Sequence, residues 1–183
     1  PAAAVEAAGE SRRLAAEAYM RAPSSPAREA RAVWNHSGMG AYPGDWEKSA
    51  KVLADNGFNI ILPNMLWGGL AHYASDLLPR SRTFEEHGDQ IAQCCAAAKK
   101  HGLEVHVWKV NYNAQNAPKE FLDQMAREKR LQYDVKGERH DWLCPSHPEN
   151  FKLELESMIE VARMYPVDGI HFDYIRYPGR ESC

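Results

Sequence analysis

From Arg31 onward the chain alternates between short apolar runs and longer amphipathic stretches that stop at glycine. The runs "RAVWNHS", "FNIILPNM", "LEVHVWKV" and "DGIHFDYIRY" begin at Arg31, Phe58, Leu103 and Asp168. Each is rich in β-branched and aromatic residues and bounded by turn formers, which predicts four strands. The stretches between them have helical spacing. Asp45 can cap a helix over "WEKSAKVLADNG" that stops at Gly57, and a second helix runs from about Glu86 to His101 and stops at Gly102. A third spans about Lys119 to Lys129 and leads into a polar segment. In "WLCPSHPEN", Ser146 and Glu149 have the spacing of a capping box for a fourth helix running to about Met164.

Strands alternating with helices predict right-handed βαβ units and a parallel sheet. The connections are asymmetric. Helix-to-strand turns such as "DNGF" and "KHGL" are tight, whereas "GMGAYPG", "LWGGLAHYASDLLP" and "NYNAQNAP" after the first three strands are long. Function in α/β folds gathers on loops at the carboxyl ends of strands. "SGMGAYPG" contains GxG but lacks the third glycine of a dinucleotide-binding turn. Four units are half of a closed eight-unit barrel. The fold expected is α/β, a (β/α)8 TIM barrel of which residues 31–183 supply about the first four βα units, a half-barrel. Residues 1–30 are set apart. "AAAVEAAGESRRLAAEAYMRA" reads as a helix with an interruption expected near Gly9, and "PSSPARE" as a linker containing Pro23 and Pro26. The chain begins at Pro1 rather than Met, so a piece of a longer or processed protein is expected.

Composition changes this picture little. The 183 residues, 44% hydrophobic and 26% charged, suit a globular domain with a substantial core. A net charge of −3 gives no electrostatic reason to expect nucleic acid or an anionic membrane surface as partner. No apolar run is long enough to span a bilayer, and no basic start followed by an apolar core marks a signal peptide. The four cysteines include no CxxC pair, which disfavours a zinc ribbon or a disulfide framework. Cys94, Cys95 and Cys144 read as packing residues, and Cys183 is the last residue.

The polar residues within the strands change it more. The first strand brings Trp34 and His36 to one face, and the second brings Asn64, with Trp67 just beyond. The third brings His106 and Trp108, followed by Asn111, Tyr112 and Asn113. In the fourth, His171 and Asp173 are two apart, hence on one face of an extended chain, and Tyr174, Arg176 and Tyr177 follow. These residue types hold sugars: aromatic faces stack on the CH-rich face of a pyranose, while amides, imidazoles and carboxylates pair with hydroxyls. A phosphate site would draw on cations and a helix N-terminus, and only Lys109 and Arg176 are of that kind at this rim. Asp173 stands out, because a carboxylate in an apolar strand is costly unless paired or used. Asp168, next to Gly169, reads as a turn residue. The HxD pair with His36 or His106 could instead supply three zinc ligands, although neither HxH nor HExxH accompanies it.

Taken in order, "RAVWNHS", "LADNGFNIILPNMLWGG", "GLEVHVWKVNYN", "WLCPSHPEN" and "VDGIHFDYIRYPG" resemble the glycosyl hydrolase-like family ten. These are bacterial TIM-barrel proteins that include an enzyme cleaving peptide-free peptidoglycan glycan strands. The resemblance covers about Arg31 to Gly179. It implies a glycoside hydrolase acting on a glycan, with bacterial cell-wall polysaccharide as a candidate, no cofactor, and an extracellular or periplasmic location. The last motif also resembles the fourth-strand GxRxD element of alpha-amylase-like barrels, whose aspartate is the nucleophile. Gly169 takes the glycine position, His171 replaces the arginine and Asp173 takes the nucleophile position. That replacement leaves open whether His171 or Arg176 would favour the ionised carboxylate by proximity.

Glycoside hydrolysis needs two carboxylates flanking the scissile bond. Asp173 is expected as nucleophile or stabilising carboxylate, and the second carboxylate is expected in the C-terminal half of the barrel. Glu104, near the start of its strand, and Asp141, in the polar segment, are poor substitutes. His171, His106 and Arg176 are expected to orient Asp173 or bind hydroxyls. Trp67, Trp108 and Tyr174 are expected as aromatic walls, and Asn64, Asn111, His147 and His36 as polar contacts. The partners implied are a carbohydrate substrate and the remaining half of the barrel. A non-catalytic carbohydrate-binding barrel and a metal-dependent hydrolase are the alternatives.

Overall fold

A computed structural model describes residues 2–21 and 29–179. Pro23, Pro26 and Cys183 lie outside the described residues. Contacts divide the chain into two compact units, Pro1–Ala30 and Arg31–Cys183. In the first unit α1 (Ala2–Arg21) runs straight through Gly9 without the expected interruption. Its alanines outweigh the cost of one glycine, and Arg13 pairs with Glu10 and Glu17 one turn to either side.

The second unit contains β1 (Ala32–Asn35), α2 (Trp46–Asp55), β2 (Ile60–Trp67), β3 (Leu70–Ala71), α3 (Arg82–His87) and α4 (Gln90–His101). There follow β4 (Glu104–Val110), α5 (Lys119–Arg127), β5 (Leu131–Tyr133), β6 (Arg139–Leu143), α6 (Pro148–Met164) and β7 (Gly169–Asp173). The four expected strands pair in parallel in the order β1-β2-β4-β7, so each crossover delivers the chain to the next position. β3 folds back antiparallel on β2, while β5 and β6 form a separate hairpin.

Caps explain most element boundaries. Asp45 accepts from the Lys48 backbone N–H at 2.8 Å and starts α2, and Gly102 ends α4 in the left-handed region at φ 69°. The helix expected from Glu86 to His101 is divided. Gly88, at φ 73°, ends α3, and Asp89 caps α4 by accepting from Ala92 N at 2.9 Å. The expected capping box does not form. His147 is the N-cap of α6, its Nδ1 accepting from Glu149 N at 3.2 Å, because Pro148 already occupies the first turn. The polar segment is the β5–β6 hairpin, in which Asp134 Oδ1 accepts from Lys136 N and Glu138 N. The last strand ends at Asp173 rather than running to Tyr177, since Tyr174 turns left-handed at φ 55°.

Alternation along the strands divides the sheet into two faces. Ile61 and Met65 of β2, Val105 and Val107 of β4 and Ile170 of β7 pack against the helices. Lys109 belongs to this layer, not to the rim where sequence placed it. It is buried, donates to Ser157 Oγ at 2.6 Å and lies 3.2 Å from the Glu154 carboxylate of α6. That ion pair lacks hydrogen-bond alignment, and among the described residues Glu154 Oε2 has no other partner.

The opposite face carries Trp34, Asn64, Trp108 and His171. β1 and β7 are the outermost strands of the parallel order, yet Trp34 Nε1 donates to His171 Nε2 at 3.3 Å. Three interstrand steps of about 4.8 Å would keep upright side chains apart on a flat sheet. The sheet is therefore curled, with this face inside. At its lower end Gly169 admits the His106 ring, since a β-carbon there would lie 2.6 Å from Nδ1.

Candidate active site

Strand register stacks the polar residues of the concave face in rows. Asn64 pairs with Trp108, and Trp108 with His171. One step nearer the carboxyl ends, Val110 pairs with Asp173. Above the first row a cavity of about 270 Å³ is lined by His36, Asn64, Trp67, Trp108, Val110, Asp173 and Tyr174. The loop after β1 is pressed onto the end of β2 there. A side chain at Gly38, φ 64°, would stand 2.2 Å from the Asn64 carbonyl oxygen, so only glycine fits.

Asp173 is held at both ends. Its Oδ1 accepts from the Tyr174 N–H at 2.7 Å, while its backbone carbonyl accepts from Asn111 N at 2.9 Å and Asn111 Nδ2 at 2.8 Å. Among the described residues its Oδ2 makes no hydrogen bond. Tyr174 in turn stacks on Trp142 of β6, with centroids 6.0 Å apart and planes at 28°, and carries the Arg176 guanidinium 4.2 Å above its ring.

Trp108 is only 3% exposed. The His36 ring meets it edge-on at 4.7 Å and His171 at 6.1 Å, so its face is enclosed rather than offered as a wall. Trp67 is the exposed indole at the cavity. Among the described residues, two buried polar atoms of residues that line the cavity, Asn64 Oδ1 and Trp108 Nε1, have no hydrogen-bond partner. Each such atom costs about 1–3 kcal/mol. His171 Nε2 accepts from Trp34 Nε1 and so is engaged by β1 across the concave face.

Of the residues expected from sequence, His36, Asn64, Trp67, Trp108, Asp173 and Tyr174 meet at the cavity. His171 lies one step below Asp173, and Arg176 covers the outer face of Tyr174. Asn111 is buried, its amide engaged by the Asp173 carbonyl rather than open to a ligand. His106 lies at the lower end, 3.1 Å from Glu104, and His147 caps α6. Glu104 is thus at the amino end of its strand, while Asp141 lies 3.1 Å from Arg139 in the hairpin. Sequence reasoning missed Trp142 as the support of Tyr174. The one signal was Trp142 itself, an indole next to Leu143 at the end of the otherwise polar "RHDWL". Among the described residues no group of three or more His, Cys, Asp or Glu side chains could hold a metal ion.

Comparison with known proteins agrees with this architecture. A hypothetical protein from Ruminiclostridium thermocellum ATCC 27405 superposes with a TM-score of 0.60 at 15% identity, over 82% of this chain and 80% of that one. Alpha-L-fucosidase isoenzyme 2 from Paenibacillus thiaminolyticus superposes with a TM-score of 0.56 at 18% identity, over 80% of this chain but only 23% of the fucosidase. At these identities the likeness is one of fold. No curated protein matches the sequence. The sequence model of Glycosyl hydrolase-like 10 matches residues 29–182, which takes in every strand of the curled sheet and the whole cavity lining. The chain belongs to the Glycosyl hydrolase-like 10 family.

Proposed function

We propose that the protein is a glycoside hydrolase whose substrate binds at the carboxyl ends of β1, β2, β4 and β7, with Asp173 as nucleophile or stabilising carboxylate. The observation that carries this reading is the state of Asp173. Its backbone and one carboxylate oxygen are fixed, its other oxygen has no partner among the described residues, and it lines a cavity with aromatic residues. A fixed carboxylate stabilises the positive charge that grows on the sugar ring as the glycosidic bond breaks. Trp67 and Tyr174 supply ring surfaces for the sugar, and His36 and Asn64 supply polar contacts.

The second carboxylate comes from further strands of a (β/α)8 barrel, of which this chain contributes four units. The curl of the sheet supports that reading. So does an apolar groove of about 220 Å³ beside β7, where Phe151, Leu155, Phe172 and Ile175 lie partly bare on the helix side. The next βα unit of a barrel packs at that place. Family membership supports a glycan substrate, bacterial cell-wall polysaccharide foremost, and action outside the cytoplasm. Among the described residues no helix is long and apolar enough to cross a membrane. Asp173 is the one carboxylate that lines the cavity among the described residues, which also suits a barrel that binds glycans without cleaving them. Product formation separates the two. In the intact protein, Asp173→Asn is expected to lower glycan cleavage at least about a thousandfold while circular dichroism and melting stay unchanged. Turnover near the parent value removes Asp173 from the mechanism.

A further inference from the structure

We infer that Trp142 of the β5–β6 hairpin is a positioning residue for Asp173: it buttresses the left-handed Tyr174, whose N–H holds the carboxylate. This rests on the reading of Asp173 as the working carboxylate and adds the part that aims it. The Tyr174 N–H, 2.7 Å from Oδ1, makes the one hydrogen bond to the Asp173 side chain among the described residues. That donor belongs to a residue in a costly conformation. Tyr174 has φ 55°, in a region that residues other than glycine rarely enter and that persists where the surroundings impose it. It lies just past the end of β7, where strand pairing no longer sets φ. The contact that imposes it is the stack on Trp142, with centroids 6.0 Å apart and planes at 28°. Trp142 itself has no room to yield. It is 4% exposed, in an apolar cluster with Tyr112, Leu131 and Leu143. Backbone bonds on either side tie it to the loop after β4: Ala114 N donates to the Asp141 carbonyl at 3.0 Å, and Leu143 N to the Tyr112 carbonyl at 2.8 Å. Because φ relates the ring of a residue to its own N–H, Tyr174 cannot relax to an ordinary φ and keep both the stack and the bond. None of the hairpin residues lines the cavity, so the hairpin reaches the site through that one ring.

Trp142 is also a core residue, and the test separates the two roles. The intact protein is labelled with carbon-13 at the aspartate Cγ. The Asp173 resonance, identified by its loss in Asp173→Asn, is followed against pH without ligand. The titratable or charged groups around Asp173 are His36 and Tyr174 of the cavity lining, His171 two residues back on the same face, and Arg176 over the Tyr174 ring. A hydrogen bond to the charged carboxylate favours ionisation, so its loss moves the titration up; in Trp142→Leu the midpoint should rise by at least about half a pH unit. Trp142→Phe keeps a flat ring and should return it most of the way. Leu143→Ala opens the same cluster from the other face of β6, and should melt lower with the midpoint at the parent value. In a Tyr174→Gly background, where the left-handed turn carries no strain, Trp142→Leu should move the midpoint no further. In an Arg176→Gln background the rise should persist, which separates the N–H from the guanidinium charge. If Trp142→Leu does not fold, Tyr174→Leu breaks the stack from its half-buried side and should give the same rise. A Trp142→Leu protein that melts lower but titrates like the parent overturns the inference and leaves Trp142 a core residue. An equal rise in Leu143→Ala overturns it too. The readout needs no turnover, so the two readings fail separately. A rise in Trp142→Leu with cleavage intact in Asp173→Asn keeps the buttress and removes Asp173 from the mechanism. No rise, with cleavage lost in Asp173→Asn, does the reverse.

Discussion

His72 shows how one buried side chain couples the site's scaffold to pH. It lies beside Gly38 at the end of the β1 loop, with Nδ1 2.6 Å from Ser81 Oγ, and burial pushes its pKa down from 6.5 to about 4. Between those values the unfolded chain binds a proton that the folded chain refuses. The stability tied to neutral His72 is thus fully present above about pH 6.5 and is lost as pH falls toward about 4, by on the order of 3 kcal/mol. Urea midpoints measured from pH 7 to pH 4 should fall accordingly, and His72→Gln should flatten much of that fall. A decline of the same size in the variant would assign it to other groups. At this scale residue types were legible from the chain, but not which atom of each is engaged. Spacing put Asn111 and Trp108 at the right strand ends. It could not reveal that the Asn111 amide is consumed by the Asp173 carbonyl, or that neighbouring imidazoles enclose the Trp108 face. Those facts depend on contacts between segments far apart in the chain.

Between elements, the Lys109–Glu154 pair fastens β4 to α6 inside the apolar layer. Breaking one partner of a buried pair is costlier than replacing both. Lys109→Met should destabilise the protein by about 3–5 kcal/mol in chemical denaturation, and adding Glu154→Gln should recover a large part of that. If the double variant is no better than the single one, the ion pair is not what fixes α6. The four parallel strands were legible because buried strands read as β-branched runs bounded by glycine and proline. The β5–β6 hairpin was not, because "LQYDVKG" and "RHDWL" are short and polar. Lys109 misled for a related reason. Alternation predicts a face, and a charged residue on the helix-facing side looked like one that ought to point away from the core.

For the whole molecule, the α/β class followed from strand–helix alternation, whereas the curl of the sheet did not. It accumulates from small twists across four strands and is visible only in the Trp34–His171 contact. Among the described residues β7 pairs only with β4, and the groove of Phe151, Leu155, Phe172 and Ile175 runs beside it. An open strand edge next to exposed apolar surface promotes association. Residues 1–183 expressed alone should therefore self-associate as concentration rises in sedimentation velocity, and Phe172→Lys with Ile175→Lys should suppress this. A monomer at every concentration would argue that the groove needs no cover. The contact between Trp34 and His171 has a kinetic consequence. It joins residues 137 apart in the chain, so it closes a long loop and is costly in chain entropy until the intervening units have collapsed. The concave face is then among the last parts of the unit to assemble during folding. A chain stalled partway can hold well-formed helices and still have no site, which makes recovery of ligand binding a later and stricter clock of refolding than recovery of helical signal.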